Sequence, residues 1–105
     1  MCVEFFIDRN DNLYVNEIAP RVHNSGHLTI NAYNVSQFEN HVRAVCKLEQ
    51  IPLKKISNAM MTNIIGDQIT NYRNKEHNEN EFFFDYLKKE IKQKRKMGHL
   101  TTLLK

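Results

Sequence analysis

Two strand-like runs separated by a short polar turn constrain the fold of this chain more than any other feature. The runs 1–7 and 13–18 are rich in the β-branched and aromatic residues that favour strands. Residues 8–12 read Asp-Arg-Asn-Asp-Asn, and short polar side chains of this kind close turns. The pattern predicts an antiparallel hairpin centred on Asn10 and Asp11.

In that register Glu4 lies directly opposite Glu17 on one face of the hairpin, with Cβ atoms roughly 4.5–5.5 Å apart. Two carboxylates at this separation repel unless positive charge lies between them. A hard divalent cation such as Mg²⁺, which prefers oxygen ligands, would supply that charge. The alternative is a solvated hairpin face that tolerates a like-charge pair, and the pairing alone does not separate the two.

Composition bounds the class of protein. The chain has 105 residues, enough for one compact domain, and its 41% hydrophobic and 26% charged residues are ordinary for a globular protein. The net charge of +3 is too mild to imply nucleic-acid binding. No stretch approaches the roughly 20 apolar residues of a membrane span, and no signal peptide is visible.

Cys2 and Cys46 have no metal-binding or redox spacing, and both fall on apolar faces of predicted elements. They are predicted to be buried free thiols in a reducing compartment, and the protein is predicted to be cytoplasmic.

Further along, Ser36 and Glu39 have the spacing of a capping box that begins a helix. The remaining predicted elements are an irregular polar loop at 19–34, a helix at 36–49 ended by Pro52, strands at 59–65, 82–87 and 97–104, and a mobile loop at 67–80. Phe38, the phenylalanines at 82–84, Met60 and Met61 are predicted to pack in the core.

Three motifs together resemble a known family. Residues 15–27 read Val-Asn-Glu-Ile-Ala-Pro-Arg-Val-His-Asn-Ser-Gly-His, residues 36–39 read Ser-Gln-Phe-Glu, and residues 95–99 read Arg-Lys-Met-Gly-His. The chain resembles, over nearly its whole length, the C-terminal part of the N5-carboxyaminoimidazole ribonucleotide synthetases. These are ATP-grasp enzymes of purine biosynthesis, also called the ATPase subunits of phosphoribosylaminoimidazole carboxylase.

The resemblance implies an α+β fold. Residues 1–52 would be the C-terminal end of an ATP-grasp domain, with antiparallel strands and a helix, and residues 53–105 part of a small C-terminal β domain. The family's phosphate-covering loop and adenine pocket have no counterpart here, so the chain is expected to be a fragment that is inactive alone. The implied parent reaction carboxylates aminoimidazole ribonucleotide with bicarbonate, uses ATP and Mg²⁺, and takes place in a homodimer.

The resemblance also implies roles for particular residues. Glu4 and Glu17 would hold the metal, with Asn16 and Glu17 at the ATP site. Arg21 suits the carboxyl group of a carboxyphosphate intermediate, and His23 would orient bicarbonate or carry the proton lost by the attacking amine. Asn24, Ser25 and His27 would shape the loop around the nucleotide substrate, although a purely structural role suits them nearly as well. Gly26 would permit a backbone turn.

Six cations crowd into residues 88–96. They could form a solvated strand edge, a nucleic-acid surface, or a site for the 5′-phosphate of the ribonucleotide. No interleaved aromatic residues support the nucleic-acid alternative. By the family pattern Lys88 and Arg95 bind the phosphate, with Lys89 as a rival for Lys88.

Two other functions remain open at this stage. Another ATP-grasp enzyme of purine synthesis would share the glutamate pair but should lack the His-Asn-Ser-Gly-His motif. A non-catalytic remnant of an ATP-grasp protein would bind phosphates or a partner chain through the basic edge.

Overall fold

The computed structural model describes residues 1–104 and has the predicted α+β class. Strands β1 and β2 form one antiparallel sheet, and a second antiparallel sheet has the order β3-β5-β4. None of the helices in the described chain has the length and apolar character needed to cross a membrane. The elements in chain order are β1 Cys2–Ile7, β2 Leu13–Ala19, a 3₁₀ turn Asn24–Gly26, α1 Thr29–Ala32, α2 Gln37–Val45, β3 Asn58–Ile65, α3 Gln68–Arg73, β4 Glu81–Asp85 and β5 Lys96–Leu104.

The predicted hairpin forms because its polar turn satisfies its own backbone. The Asp8 carboxylate accepts hydrogen bonds from the backbone N–H groups of Asn10 at 2.8 Å and Asn12 at 3.0 Å. A hydrogen bond from the Asn12 side chain, followed by these two backbone bonds, holds the pKa of Asp8 below its ordinary value. Asp11 adopts a left-handed conformation with φ 61°, which aspartate tolerates better than most residues.

The predicted register is correct for half of the hairpin. Glu4 pairs with Glu17 as expected, but Phe5 pairs with Val15, so Asn16 is an extra residue on β2. Such a β-bulge sets two residues of one strand against one residue of the other and re-aims their side chains. The bulge therefore brings Asn16 and Glu17 together opposite Glu4.

Helix α2 begins as predicted and ends earlier. The Ser36 hydroxyl accepts the Glu39 backbone N–H at 3.1 Å, which caps the first turn. The helix stops at Val45 rather than near residue 49, because Lys47 takes a left-handed conformation with φ 54°. The N–H of the following residue, Leu48, then bonds back to the carbonyl of Arg43 at 2.8 Å, as in a Schellman motif. Glycine usually occupies that left-handed position, and a lysine there does not indicate a helix end.

The predicted mobile loop at 67–80 contains helix α3 instead. Ile69 is fully buried and packs with Ile64, Met97 and Leu100 in the main hydrophobic core. An ion pair of 2.6 Å between Arg73 and Asp85 fastens the end of α3 to β4. The helix is only six residues long, so its stability comes from this packing rather than from helix propensity.

Several predictions of burial are wrong. Cys46 is exposed and Cys2 is half-buried, although both thiols are free as expected. Met60 and Phe38 are exposed, Phe38 at 37%. None of the α2 residues is buried, so its apolar face is not packed on a sheet. Both apolar faces of the β1–β2 hairpin are likewise largely exposed.

The second sheet has two different faces. Ile64 and Gly98 are paired on the face covered by α3, where Ile69 lies against Gly98. Asn63, His99 and Phe84 are paired across the three strands on the other face. His27 from the first half of the chain lies against His99 on that second face, and Phe38 packs on the His27 ring.

Hydrogen bonds also cross the predicted domain boundary at residue 52. The backbone N–H of Asn34 donates to the Lys54 carbonyl at 3.1 Å, and the N–H of Ile56 donates to the Ala32 carbonyl at 2.8 Å. Residues just after the boundary are thus tied to the first half of the chain. The division at residue 52 stays a prediction.

Candidate active site

Three oxygen-bearing side chains converge at the bulge of the first hairpin. Glu4 and Glu17 are paired across the two strands, and Asn16 Nδ2 donates to Glu4 Oε1 at 2.6 Å. The carboxylates are 42% and 44% exposed, so a ligand can reach them from solvent. The sequence predicted the facing glutamates, and the structure adds the bulge that turns Asn16 toward them.

The two carboxylates are flanked by Arg21 and His23, the two side chains predicted to be catalytic. Arg21 Nη2 lies 3.0 Å from Glu17 Oε1. His23 Nε2 lies 3.5 Å from Glu4 Oε2 and 4.0 Å from Glu17 Oε2. Positive and polar groups from the protein therefore offset the repulsion between the facing carboxylates.

The orientation of His23 is fixed by the turn that follows it. Its Nδ1 caps the 3₁₀ turn by accepting the backbone N–H of Ser25 at 3.3 Å. The same Nδ1 lies 2.8 Å from the Ser25 hydroxyl. Because a backbone N–H can only donate, Nδ1 is an acceptor and Nε2 carries the ring proton. His23 thus presents a hydrogen-bond donor to the space between the two carboxylates.

Gln37 holds this loop in place, and the sequence analysis did not identify it. Its Oε1 accepts the His23 backbone N–H at 3.0 Å, and its Nε2 donates to the His23 carbonyl at 2.7 Å and lies 2.7 Å from His27 Nδ1. Its place inside the Ser-Gln-Phe-Glu motif was the available signal.

Gly26 serves a different purpose from the one predicted. Its backbone is not in the left-handed region. A Cβ at this position would lie 2.7 Å from Gln37 Cδ and closer still to the amide oxygen. A side chain at position 26 would displace the Gln37 carboxamide, which is hydrogen-bonded to both backbone groups of His23.

The donor set of the hairpin fits Mg²⁺. Carboxylate and amide oxygens are the ligands that this hard cation prefers, and it commonly takes only one or two carboxylates together with substrate phosphates. Glu4 and Glu17 would hold the ion, with Asn16 beside them. Within residues 1–104 no group of three or more His, Cys, Asp or Glu side chains has a metal-binding arrangement.

The basic segment approaches the loop from the other side. Lys88 Nζ donates to the Lys96 carbonyl at 2.6 Å and lies 5.4 Å from the centre of the Tyr86 ring. Burial, followed by the nearby positive charge of Lys96, lowers the pKa of His27. The structure therefore brings Lys88 and Lys96 close to the loop that contains His23 and His27. Arg95 is exposed, and its carbonyl accepts the Gly66 N–H at 2.9 Å.

A buried histidine lies between these two regions, and the sequence analysis gave it no role. His99 is 2% exposed, its Nδ1 lies 2.8 Å from the Tyr86 hydroxyl, and its ring centre lies 5.4 Å from that of His27. Burial lowers the pKa of His99 from 6.5 to about 4 and raises the pKa of Tyr86. His99 is therefore neutral near pH 7.

The low pKa of His99 makes the stability of the fold depend on pH. Between pH 6.5 and about 4 the unfolded chain binds a proton at this residue and the folded chain does not, so stability falls as pH falls through this range. The shift corresponds to a loss of up to about 3 kcal/mol of unfolding free energy. Urea unfolding of the chain at several pH values would measure it. We expect His99→Asn to flatten the dependence above pH 4, and an unchanged slope would contradict the assignment.

Two family profiles match different parts of the chain. The ATP-grasp domain matches residues 1–38, and the phosphoribosylaminoimidazole carboxylase C-terminal domain matches residues 59–105. The residues of the bulged hairpin and its loop lie in the first match. Lys88, Arg95 and His99 lie in the second.

Relatives with high sequence identity are N5-carboxyaminoimidazole ribonucleotide synthases. The N5-carboxyaminoimidazole ribonucleotide synthase of Staphylococcus haemolyticus is 46% identical over 104 residues, covering 96% of this chain and 28% of that protein. The Bacillus subtilis synthase is 42% identical over 102 residues, covering 96% of this chain and 27% of its own length.

Solved structures agree with the sequence comparison. The crystal structure of N5-carboxyaminoimidazole synthetase from Staphylococcus aureus has a TM-score of 0.88 at 44% identity, covering 97% of this chain and 28% of that one. The Aspergillus clavatus synthase, in complex with ADP and 5-aminoimidazole ribonucleotide, has a TM-score of 0.85 at 36% identity, with 97% and 29% covered. The chain thus spans between a quarter and a third of the length of these relatives. It belongs to the N5-carboxyaminoimidazole ribonucleotide synthase family, in which it joins an ATP-grasp segment to the C-terminal domain.

Proposed function

We propose that this chain supplies the metal-binding hairpin and the substrate loop of an ATP-dependent ligase. That ligase joins bicarbonate to the amine of 5-aminoimidazole ribonucleotide and releases ADP and phosphate. The observation that carries the proposal is the convergence of Glu4, Asn16 and Glu17 at the bulge, with Arg21 and His23 beside them. The relatives' descriptions and the nucleotide complex of the Aspergillus clavatus enzyme support the choice of substrate.

Each group has a part in the reaction. Glu4 and Glu17 would hold Mg²⁺, which would supply positive charge to the phosphates. A bicarbonate oxygen attacks the γ-phosphorus of ATP, and ADP leaves. Arg21 has a planar guanidinium that suits the planar carboxyl group of the acyl phosphate so formed. The ribonucleotide amine then attacks the carboxyl carbon, the bond from that carbon to the phosphate oxygen breaks, and the departing phosphate takes the amine proton.

His23 acts as a donor in this scheme. Its Nδ1 is engaged by Ser25, so its Nε2–H is the group available to a ligand. Bicarbonate bound near the carboxylates would accept this hydrogen bond, which favours the orienting role over proton transfer. Asn24, Ser25 and His27 form the wall of the loop, and Lys88 with Arg95 would bind the 5′-phosphate.

A chimera tests the proposal directly. This chain would replace the matching 104 residues of the Staphylococcus haemolyticus synthase. We expect the chimera to release ADP only when bicarbonate and the ribonucleotide are both present, and the isolated chain to release none. Gel filtration of the chimera would test the proposed homodimer.

The alternative, a phosphate- or partner-binding module without catalysis, makes the opposite prediction. A chimera that unfolds cooperatively on heating, yet releases no ADP, would contradict the ligase proposal. Tight binding of inorganic phosphate by the isolated chain would then favour the binding module.

A further inference from the structure

The face of the second sheet that meets the first half of the chain is polar where a core would ordinarily be apolar. Asn63, His99 and Thr101 lie on this face. Asn63 Oδ1, His99 Nε2 and Thr101 Oγ1 are buried and have no hydrogen-bond partner among the described protein atoms. Buried polar groups of this kind reduce stability relative to paired ones. Stability alone therefore does not explain a histidine at position 99.

The ring of His99 is fixed on three sides. It stacks on Phe84 with ring centres 4.8 Å apart and an interplanar angle of 19°. Its Nδ1 forms a hydrogen bond of 2.8 Å with the Tyr86 hydroxyl, and its ring centre lies 5.4 Å from that of His27. A buried ring held in this way can fix the groups that touch it, because their positions are no longer independent.

The ring contact between His99 and His27 connects His99 to the substrate loop, which contains His23 and His27. His27 is hydrogen-bonded to the Gln37 amide, which also holds both backbone groups of His23. His23 in turn faces Glu4 and Glu17.

The hydrogen bond between His99 and Tyr86 connects His99 to the basic segment, residues 88–96. The Tyr86 ring lies under Lys88 Nζ at 5.4 Å, and the backbone N–H of Tyr86 donates to the Met97 carbonyl at 2.9 Å. The Tyr86–His99 hydrogen bond therefore links the segment of Lys88 to the ring that packs against His27, and the His27 ring also meets the edge of the Tyr86 ring at 6.2 Å.

We propose that His99 is a positioning residue that, through Tyr86 and His27, fixes the separation between the substrate loop and Lys88. This inference rests on the proposed function for the identity of the substrate. It assigns His99 no contact with the reacting atoms. A ligand that bridges the loop and the basic segment, such as a nucleoside monophosphate, would depend on this separation.

Steady-state kinetics of the chimera provide the first test. We expect Tyr86→Phe and His99→Leu each to raise KM for the ribonucleotide about tenfold, while KM for ATP stays within about twofold, consistent with one lost hydrogen bond that serves only one substrate. The double variant should be no worse than the poorer single variant, because both remove the same bond. His99→Asn, whose side-chain amide can either donate to or accept from the Tyr86 hydroxyl, should recover most of the loss.

Thr101→Val is the matched control. It removes a buried polar atom from the same strand and the same face without changing the side-chain shape, and Thr101 contacts neither Tyr86 nor His27 by hydrogen bonds or ring packing. We expect both KM values to stay unchanged. Equal effects in Thr101→Val and His99→Leu, or additive effects of Tyr86→Phe and His99→Leu, would overturn the positioning role.

A second measurement does not depend on activity. Amide hydrogen exchange of the 105-residue chain should become faster at residues 23–32 and at 86–88 in His99→Leu, and remain near wild type in His99→Asn and Thr101→Val. Unchanged exchange in His99→Leu would overturn the inference even in an active chimera. An inactive chimera with these exchange changes would instead count against the proposed ligase and leave the positioning role supported.

Discussion

Glu17→Gln in the chimera is expected to lower turnover by at least ~10²-fold, because the metal loses a charged ligand where phosphoryl charge develops. Glutamine keeps the shape of the side chain, so the hairpin should still form. Glu4→Gln should have an effect of the same order, because the two carboxylates face each other across the strands. Steady-state ADP release at several Mg²⁺ concentrations would measure both.

Glu39→Gln provides a matched control for this result. Glu17 pairs with Arg21, and Glu39 pairs with Arg43, in each case four residues apart at 3.0 Å and exposed to solvent. A surface ion pair of this kind contributes about 0.2–1 kcal/mol, so its loss alone cannot account for a hundredfold effect. We expect Glu39→Gln to turn over normally. Near-normal activity of Glu17→Gln at ordinary Mg²⁺ concentrations would contradict the metal assignment.

Lys88→Ala and Arg95→Ala are expected to raise KM for the ribonucleotide about ten- to a hundredfold and to leave KM for ATP nearly unchanged. Loss of a charge-assisted bond to the substrate phosphate costs roughly 1.5–3 kcal/mol, which corresponds to this range. Initial rates with each substrate varied in turn would separate the two constants.

Lys89→Ala and Lys88→Met serve as controls for the phosphate assignment. Lys88→Met keeps the stem of the side chain on the Tyr86 ring and removes only the charge, so it should resemble Lys88→Ala if the charge binds phosphate. Lys89→Ala should have little effect. A larger effect at Lys89, or a change in KM for ATP, would show that the assignment is wrong.

The candidate site could be predicted from sequence as far as short-range patterns reach. The strand runs and the polar turn predicted the hairpin. The strand pairs next to the turn are centred on Asn10 rather than between Asn10 and Asp11, and the bulge restores the predicted pairing of Glu4 with Glu17. The bulge at Asn16 was not predicted, because one inserted residue leaves the local pattern of apolar and polar residues almost unchanged. It nevertheless decides which side chains join the two glutamates.

Helix α3 shows the limit of composition as a guide. Its asparagine-rich surroundings predicted a mobile loop, and its N-cap Asp67 makes no side-chain capping bond. The helix exists because Ile69 reaches a core formed by strands before and after it in the chain. A contact of that kind joins residues distant in sequence, so local helix propensity does not predict it.

The sequence by itself determined the α+β class, the hairpin, the start of α2 and the family to which the chain belongs. These depend on side chains close together in sequence or on a distinctive order of residues. The tertiary structure alone decided that Gln37 holds His23, that Gly26 makes room for Gln37, and that His99 is buried against Tyr86. Each of these depends on packing between residues at least ten positions apart, and packing forms only when the whole chain folds.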